Sequence, residues 1–235
     1  MAIDTSRTSA PMRDRPRWDR PGWAEIAVAV PVVVALYLGT ALLTLMLPSD
    51  GSLPGLANFA ISAAVPAIAF GAAVVIRIRR VQPFGLRRVR PWWILAAIGI
   101  GIANVALSWP VAALIDPLVP GAGDVQQSYR DSSMAGPAGL IATIVLGGML
   151  TPLGEELFFR GVITRFLLRW NTAIAVILGA AIFAAAHGVN DVTPMAFIIG
   201  LGNGLLLRYS RSIWPGVAVH VTYNTIGMVI HSLGI

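Results

Sequence analysis

The sequence predicts an all-α fold, a polytopic transmembrane helix bundle with about seven spans. Three observations carry that prediction. Of 235 residues, 56% are hydrophobic and only 12% are charged, about half the charge fraction of a soluble domain. The mean hydropathy is +0.75. The charges are also unevenly spread: long apolar runs alternate with short arginine-rich patches, the pattern of a membrane bundle.

The elements follow in order. Residues 1–22 are polar, contain prolines and five arginines, and read as a disordered cytoplasmic tail. The apolar run after them is too long for the core of a cleavable signal. Residues 23–235 then form one bundle. A span requires about 20 apolar residues. Span 1 is expected at Trp23–Leu47, span 2 at Leu56–Ile76, and span 3 from the Trp92-Trp93 pair to about Leu114. Span 4 begins near Ala138 and holds Glu155 and Glu156, read as the only acidic residues inside an apolar segment. Spans 5, 6 and 7 are expected at Thr172–His187, Thr193–Leu207 and Ile213–Leu233. Turn residues mark the breaks, among them Pro48–Gly51, Asp116-Pro117, Gly188–Asp191 and Ser210–Ser212.

Charge placement orients the bundle. All 17 basic residues are arginine, and the net charge is +6. Sixteen of the seventeen fall in the tail, between spans 2 and 3, after span 4 or between spans 6 and 7; only Arg130 lies on the other side. The positive-inside rule then places the N-terminus in the cytoplasm and the C-terminus outside. Seven crossings satisfy that parity. The same placement argues against a nucleic-acid surface and makes the loop arginines topology determinants. There is no cysteine, which excludes disulfides and cysteine-ligated metals.

Ionisable groups inside a span are costly and point to function. The candidates are Glu155, Glu156 and Arg160 in span 4, His187 at the end of span 5, and His220 with Asn224 in span 7. Glu156 and Arg160 are four apart, as are Phe183 and His187, and His220 and Asn224. Each pair shares one helix face. Three polar stripes that cannot face lipid are expected to share an interior cavity among the C-terminal helices. Each stripe alone has a structural explanation: a buried ion pair, a helix-end histidine, or interhelical hydrogen bonding. Gly200 and Gly204 read as close helix packing, and His231 as an interface residue. Together, a carboxylate pair, two histidines and an asparagine suggest a hydrolytic site. No serine lies within the motif set.

Glu155-Glu156-x-x-x-Arg160, Phe183-x-x-x-His187 and His220-x-x-x-Asn224, in this order, resemble the motifs of the CPBP family. That family comprises CaaX prenyl endopeptidases of the second type and Abi-like, bacteriocin-processing or immunity proteins. The resemblance covers about Leu150–Gly227, within a core expected at about 138–235. It implies an intramembrane endopeptidase acting on a membrane-associated protein or peptide in the lipid bilayer. Glu155 would activate water, and His187 would orient it or shuttle its proton. His220 and Asn224 would donate to the oxyanion, and Glu156 with Arg160 would support the helix. Two cofactor readings stay open: no cofactor, which is favoured, or a Zn²⁺ ion held by Glu155, His187 and His220, without an H-E-x-x-H motif. The rival functions are a transporter using these groups as a proton relay, disfavoured by the lack of an inverted repeat, and a silent scaffold, disfavoured by the intact motifs. The arginine-only, alanine-rich composition suggests a GC-rich bacterium and its plasma membrane. Counting ~1.5 Å per residue along straight helices puts Glu155, His187 and His220 at different depths, so a kink, tilt or offset is required. Pro152 is the expected kink.

Overall fold

The computed structural model describes residues 20–46, 52–115, 117 and 127–233. The expected tail lies outside the described residues up to position 19, and so does the Pro48–Gly51 break. The fold is helical, with no strand among the described residues. The helices are α1 (Trp23–Thr44), α2 (Leu53–Ile78), α3 (Pro91–Ile115), α4 (Gln127–Met134), α5 (Gly136–Leu167), α6 (Thr172–Ala185), α7 (Thr193–Ser210) and α8 (Trp214–Ser232).

Sequence explains these elements locally. In hydrocarbon every backbone polar group needs a partner within its own segment, so apolar runs become helices. Proline stands in the first turn of α2, α5, α7 and α8, where its missing N–H costs nothing. Asn171 caps α6, its side-chain oxygen accepting from Ile174 N at 2.8 Å. Among the described residues four helices are long and apolar enough to cross a membrane: α1, α2, α3 and α5. α6 is apolar but shorter. Large apolar side chains such as Leu38, Leu42, Leu95, Ile141 and Ile177 lie exposed along these helices, as a lipid-facing surface requires. The short helix α4 has no counterpart among the expected spans.

α1 packs on α2, α6 on α7, and α8 on α3, while α5 runs against α2 and α8. Aromatic side chains fill the centre: Phe84, Phe158, Phe159, Phe166 and Phe183 are all buried. Gly200 confirms the close-packing reading, because a Cβ there would come within 2.9 Å of Ala180 Cα.

Two expectations need correction. Span 4 does not hold the only acidic residues in an apolar segment, because Glu25 sits in the first turn of α1 and is fully buried. Glu25 accepts from Arg77 Nε at 2.8 Å and from Gly22 N at 2.6 Å, so a capping-box contact and an ion pair join the start of α1 to the end of α2. The irregularity of span 4 is also not a simple proline kink. Pro152 lies in an α-helical turn between two π-helical stretches, Ile144–Leu150 and Glu156–Thr164. Thr151 N donates to Leu146 O, a five-residue step that absorbs the local disturbance.

Candidate functional site

Glu155 stands at the junction of the central α-turn of α5 and its second π-helical stretch. The residue before it lets the backbone come close: a Cβ at Gly154 would lie 2.2 Å from Ala63 O. Glycine therefore brings α5 into backbone contact with α2 one residue before the carboxylate. Wide π-winding directs Glu155, Glu156 and Arg160 into the bundle, and all three are buried. π-helical stretches are frequent at functional sites for this reason.

His220 stands between the two carboxylates. Its Nε2 lies 3.7 Å from Glu155 Oε2, and its Nδ1 lies 3.4 Å from Glu156 Oε1. Arg160 Nη1 is 3.1 Å from Glu156 Oε1, an ion pair by distance whose angle falls outside hydrogen-bond geometry. The Arg160 guanidinium also lies 4.2 Å above the Phe183 ring, a further favourable contact for a buried cation.

His187 joins the cluster through Phe183. The Phe183 ring is 4.8 Å from the His187 ring and 5.7 Å from the His220 ring. His187 Nδ1 lies 2.9 Å from Phe183 O. A carbonyl oxygen only accepts, so Nδ1 carries the proton and Nε2 is left as an acceptor. The Phe183–His187 spacing read from the sequence thus sets the imidazole tautomer as well as the helix face. Asn224 is one turn beyond His220, and its Nδ2 donates to Gly147 O at 3.2 Å. That fixes the amide and leaves its second N–H for another acceptor.

Glu155, His187, His220 and Asn224 line one cavity of about 410 Å³, with Tyr129 of α4 and Ser62 of α2 also in its wall. The depth mismatch counted on straight helices has a physical resolution. α5 has 32 residues and α6 only 14. At ~1.5 Å per residue one overshoots and the other falls short of a ~30 Å hydrocarbon layer. Their ends therefore do not mark the two membrane surfaces, and the end of α6 falls at the level of the α5 interior.

Sequence reasoning missed one member of the cluster. Asn203, fully buried in α7, donates from Nδ2 to Glu156 Oε1 at 3.0 Å and to Gly216 O at 3.2 Å. The signal was available: a polar side chain inside an apolar span, flanked by the noted glycines Gly200 and Gly204. Gly216 completes the seat, since a Cβ there would meet Glu156 Oε2 at 2.7 Å. Glu156 is therefore approached by Arg160, His220 and Asn203, whereas Glu155 faces the cavity with His220 at its side.

Among the described residues no group of three or more His, Asp or Glu side chains is placed to hold an ion. Glu155 and His220 approach each other, and the Phe183 ring contacts both His187 and His220.

Residues 137–226 match the family model described as type II CAAX prenyl endopeptidase Rce1-like. The match contains every motif residue named above and begins at the second residue of α5. No curated protein and no solved structure matches the chain. The match and the four apolar helices identify a multi-pass membrane protein carrying an Rce1-like segment.

Proposed function

We propose that this Rce1-like segment is an intramembrane endopeptidase that hydrolyses a peptide bond of a membrane-associated protein or peptide with water activated by Glu155. The observation that carries the reading is the asymmetry of the two glutamates. Glu156 is occupied by a cation and an amide, while Glu155 faces a cavity large enough for a peptide bond and a water. Glu155 takes a proton from the water, and the hydroxide forms a bond to the scissile carbonyl carbon. His187 Nε2, as an acceptor, orients that water. His220 and the second N–H of Asn224 polarise the carbonyl and stabilise the oxyanion. Collapse breaks the C–N bond, and Glu155 returns its proton to the leaving amine. Glu156, Arg160 and Asn203 hold His220 and the helix in register.

The test uses purified protein in detergent with a quenched peptide library. Cleavage is expected from the wild type and is expected to fall roughly 10²-fold or more in Glu155→Gln. Equal cleavage by both proteins would remove glutamate activation. No cleavage by either would favour the transporter or scaffold reading.

The seven-crossing arrangement belongs to the same proposal, with a cytoplasmic N-terminus and an outward C-terminus in a bacterial plasma membrane. It rests on fifteen arginines on one side, Arg160 being buried inside the bundle. Alkaline phosphatase, active only outside, should work when fused after residue 235 and fail when fused after residue 80. The reverse pattern would invert the topology.

A further inference from the structure

The two ends of the bundle treat the Glu155 cavity differently. From Glu155 and His220 its wall climbs toward the end opposite the arginine-rich loops. Asp191 and Val192, in the turn between α6 and α7, line it there, as do Ile230 and His231 in the last turn of α8. Asp191 and His231 are exposed, so the lining reaches the surface at that end. The short helix α4 adds Tyr129 to the same wall. Its place is fixed where Ser132 Oγ donates to Ser52 O at 2.8 Å, beside the start of α2.

Toward the arginine-rich end, side chains fill the bundle beyond the glutamates. Arg160 of α5, Asn203 and Leu207 of α7, Ile213 just before α8 and Phe84 from the loop between α2 and α3 are each 1% exposed or less. None of them lines the cavity. The loop is held under α5: a Cβ at Gly161 would lie 3.2 Å from Phe84 O. Ile213 N donates to Gly85 O at 3.0 Å, and Ser212 Oγ donates to Arg87 O at 2.7 Å. These bonds tie the loop between α2 and α3 to the turn before α8. The cavity therefore has a floor at this end and a mouth at the other.

Hydrolysis makes the direction of the mouth consequential. The reaction consumes a water and leaves a carboxylate and an amine, and charged groups are costly in hydrocarbon. Water and products need the polar mouth. Fifteen arginines gather at the closed end, and Arg130 alone stands at the open one. The positive-inside rule places the closed end in the cytoplasm.

We propose that the Glu155 cavity opens to the outside of the cell, and that its substrate is a polypeptide segment presented at the outer face of the membrane after export. The substrate class rests on the proposed peptidase activity; the direction of the mouth does not. The segment enters past Asp191 and His231, and both products leave the same way.

The chain contains no cysteine, so single cysteines report access without background. Ser62 lies in the cavity wall and Val192 at its mouth, while Arg88 is exposed on the arginine-rich loop. The full chain carrying Ser62→Cys, Val192→Cys or Arg88→Cys is expressed in bacterial spheroplasts. Each is treated with a charged, membrane-impermeant maleimide before and after permeabilisation. Ser62→Cys and Val192→Cys should label in intact spheroplasts, and Arg88→Cys only after permeabilisation. Labelling of Ser62→Cys only after permeabilisation would overturn the outward mouth. So would labelling only after denaturation, which would mean a closed cavity. An impermeant quenched peptide library is then added outside intact spheroplasts. Cleavage by the wild type, lost once Ser62→Cys is labelled, supports the outer-face substrate. Cleavage only after permeabilisation would overturn it. Outward labelling with no cleavage under either condition would leave the outward cavity standing and remove the peptidase, and with it the substrate class.

Discussion

Two buried carboxylates, Glu25 and Glu156, each pair with an arginine, and the contrast between them separates fastening from chemistry. Both side chains are fully buried. Arg77, the partner of Glu25, keeps 28% of its side chain exposed, whereas Arg160 keeps 2%. The Glu25–Arg77 pair joins two helices at their ends, across 52 residues of sequence. The Glu156–Arg160 pair lies within one helix, one turn apart, and meets His220 and Asn203 from two other helices. A pair near solvent at a helix end can lose one member and let water or the chain end compensate. A pair inside the bundle cannot, because no water replaces the missing charge. The first pair therefore fastens α1 to α2, and the second holds a charged cluster in place beside the cavity.

The comparison predicts unequal responses to mutation. Arg160→Ala leaves Glu156 buried beside Glu155 without its cation and should cost ~3–5 kcal/mol of stability. The readout is thermal unfolding and yield in detergent. An unfolding midpoint equal to wild type would mean that Asn203 and His220 sustain Glu156 alone, and the contrast would fail.

Asn224→Ala tests the opposite property. It should lower turnover about 10²–10³-fold as an oxyanion donor, while loss of its bond to Gly147 O costs only about 1 kcal/mol of stability. Measuring turnover and unfolding on the same preparation separates the two effects. Unchanged turnover with reduced stability would make Asn224 a helix-packing residue.

The smallest effect is expected at the fastening pair. Glu25→Gln keeps an acceptor for Gly22 N and leaves Arg77 able to reach solvent. It should cost roughly 1.5–3 kcal/mol, the range for a hydrogen bond to a charged group, and leave turnover unchanged. A loss matching Arg160→Ala would show that burial of the carboxylate, rather than access of its partner to water, sets the cost.

Much of the fold was legible because the bilayer imposes strong local rules. The expected edges Trp23, Leu114, Thr172, Thr193 and Ile213 lie within a residue of observed helix ends, since apolar runs and first-turn prolines mark where a helix can begin. The short helix α4 was not legible. Its sequence, Gln127–Met134, is polar, and Ser132 and Ser133 are buried through tertiary contacts: Ser132 Oγ donates to Ser52 O at 2.8 Å. Glu25 was overlooked because it falls at a helix start, where an acidic residue is ordinary. Its burial depends on Arg77, 52 positions away.

By itself, the sequence determined that this chain forms apolar helices, which end gathers the arginines, and which faces carry Glu155, Glu156, Arg160, His187, His220 and Asn224. Each of these follows from composition or from a period along one helix. Tertiary structure alone decided how far each helix slides along its neighbours. It set Glu155 beside His220 and brought Asn203 to Glu156. Helical period fixes the direction of a side chain about its own axis but carries no information on translation between axes. That translation is set by interhelical packing, such as the backbone contact of Gly154 with Ala63 and the seat of Gly216 against Glu156.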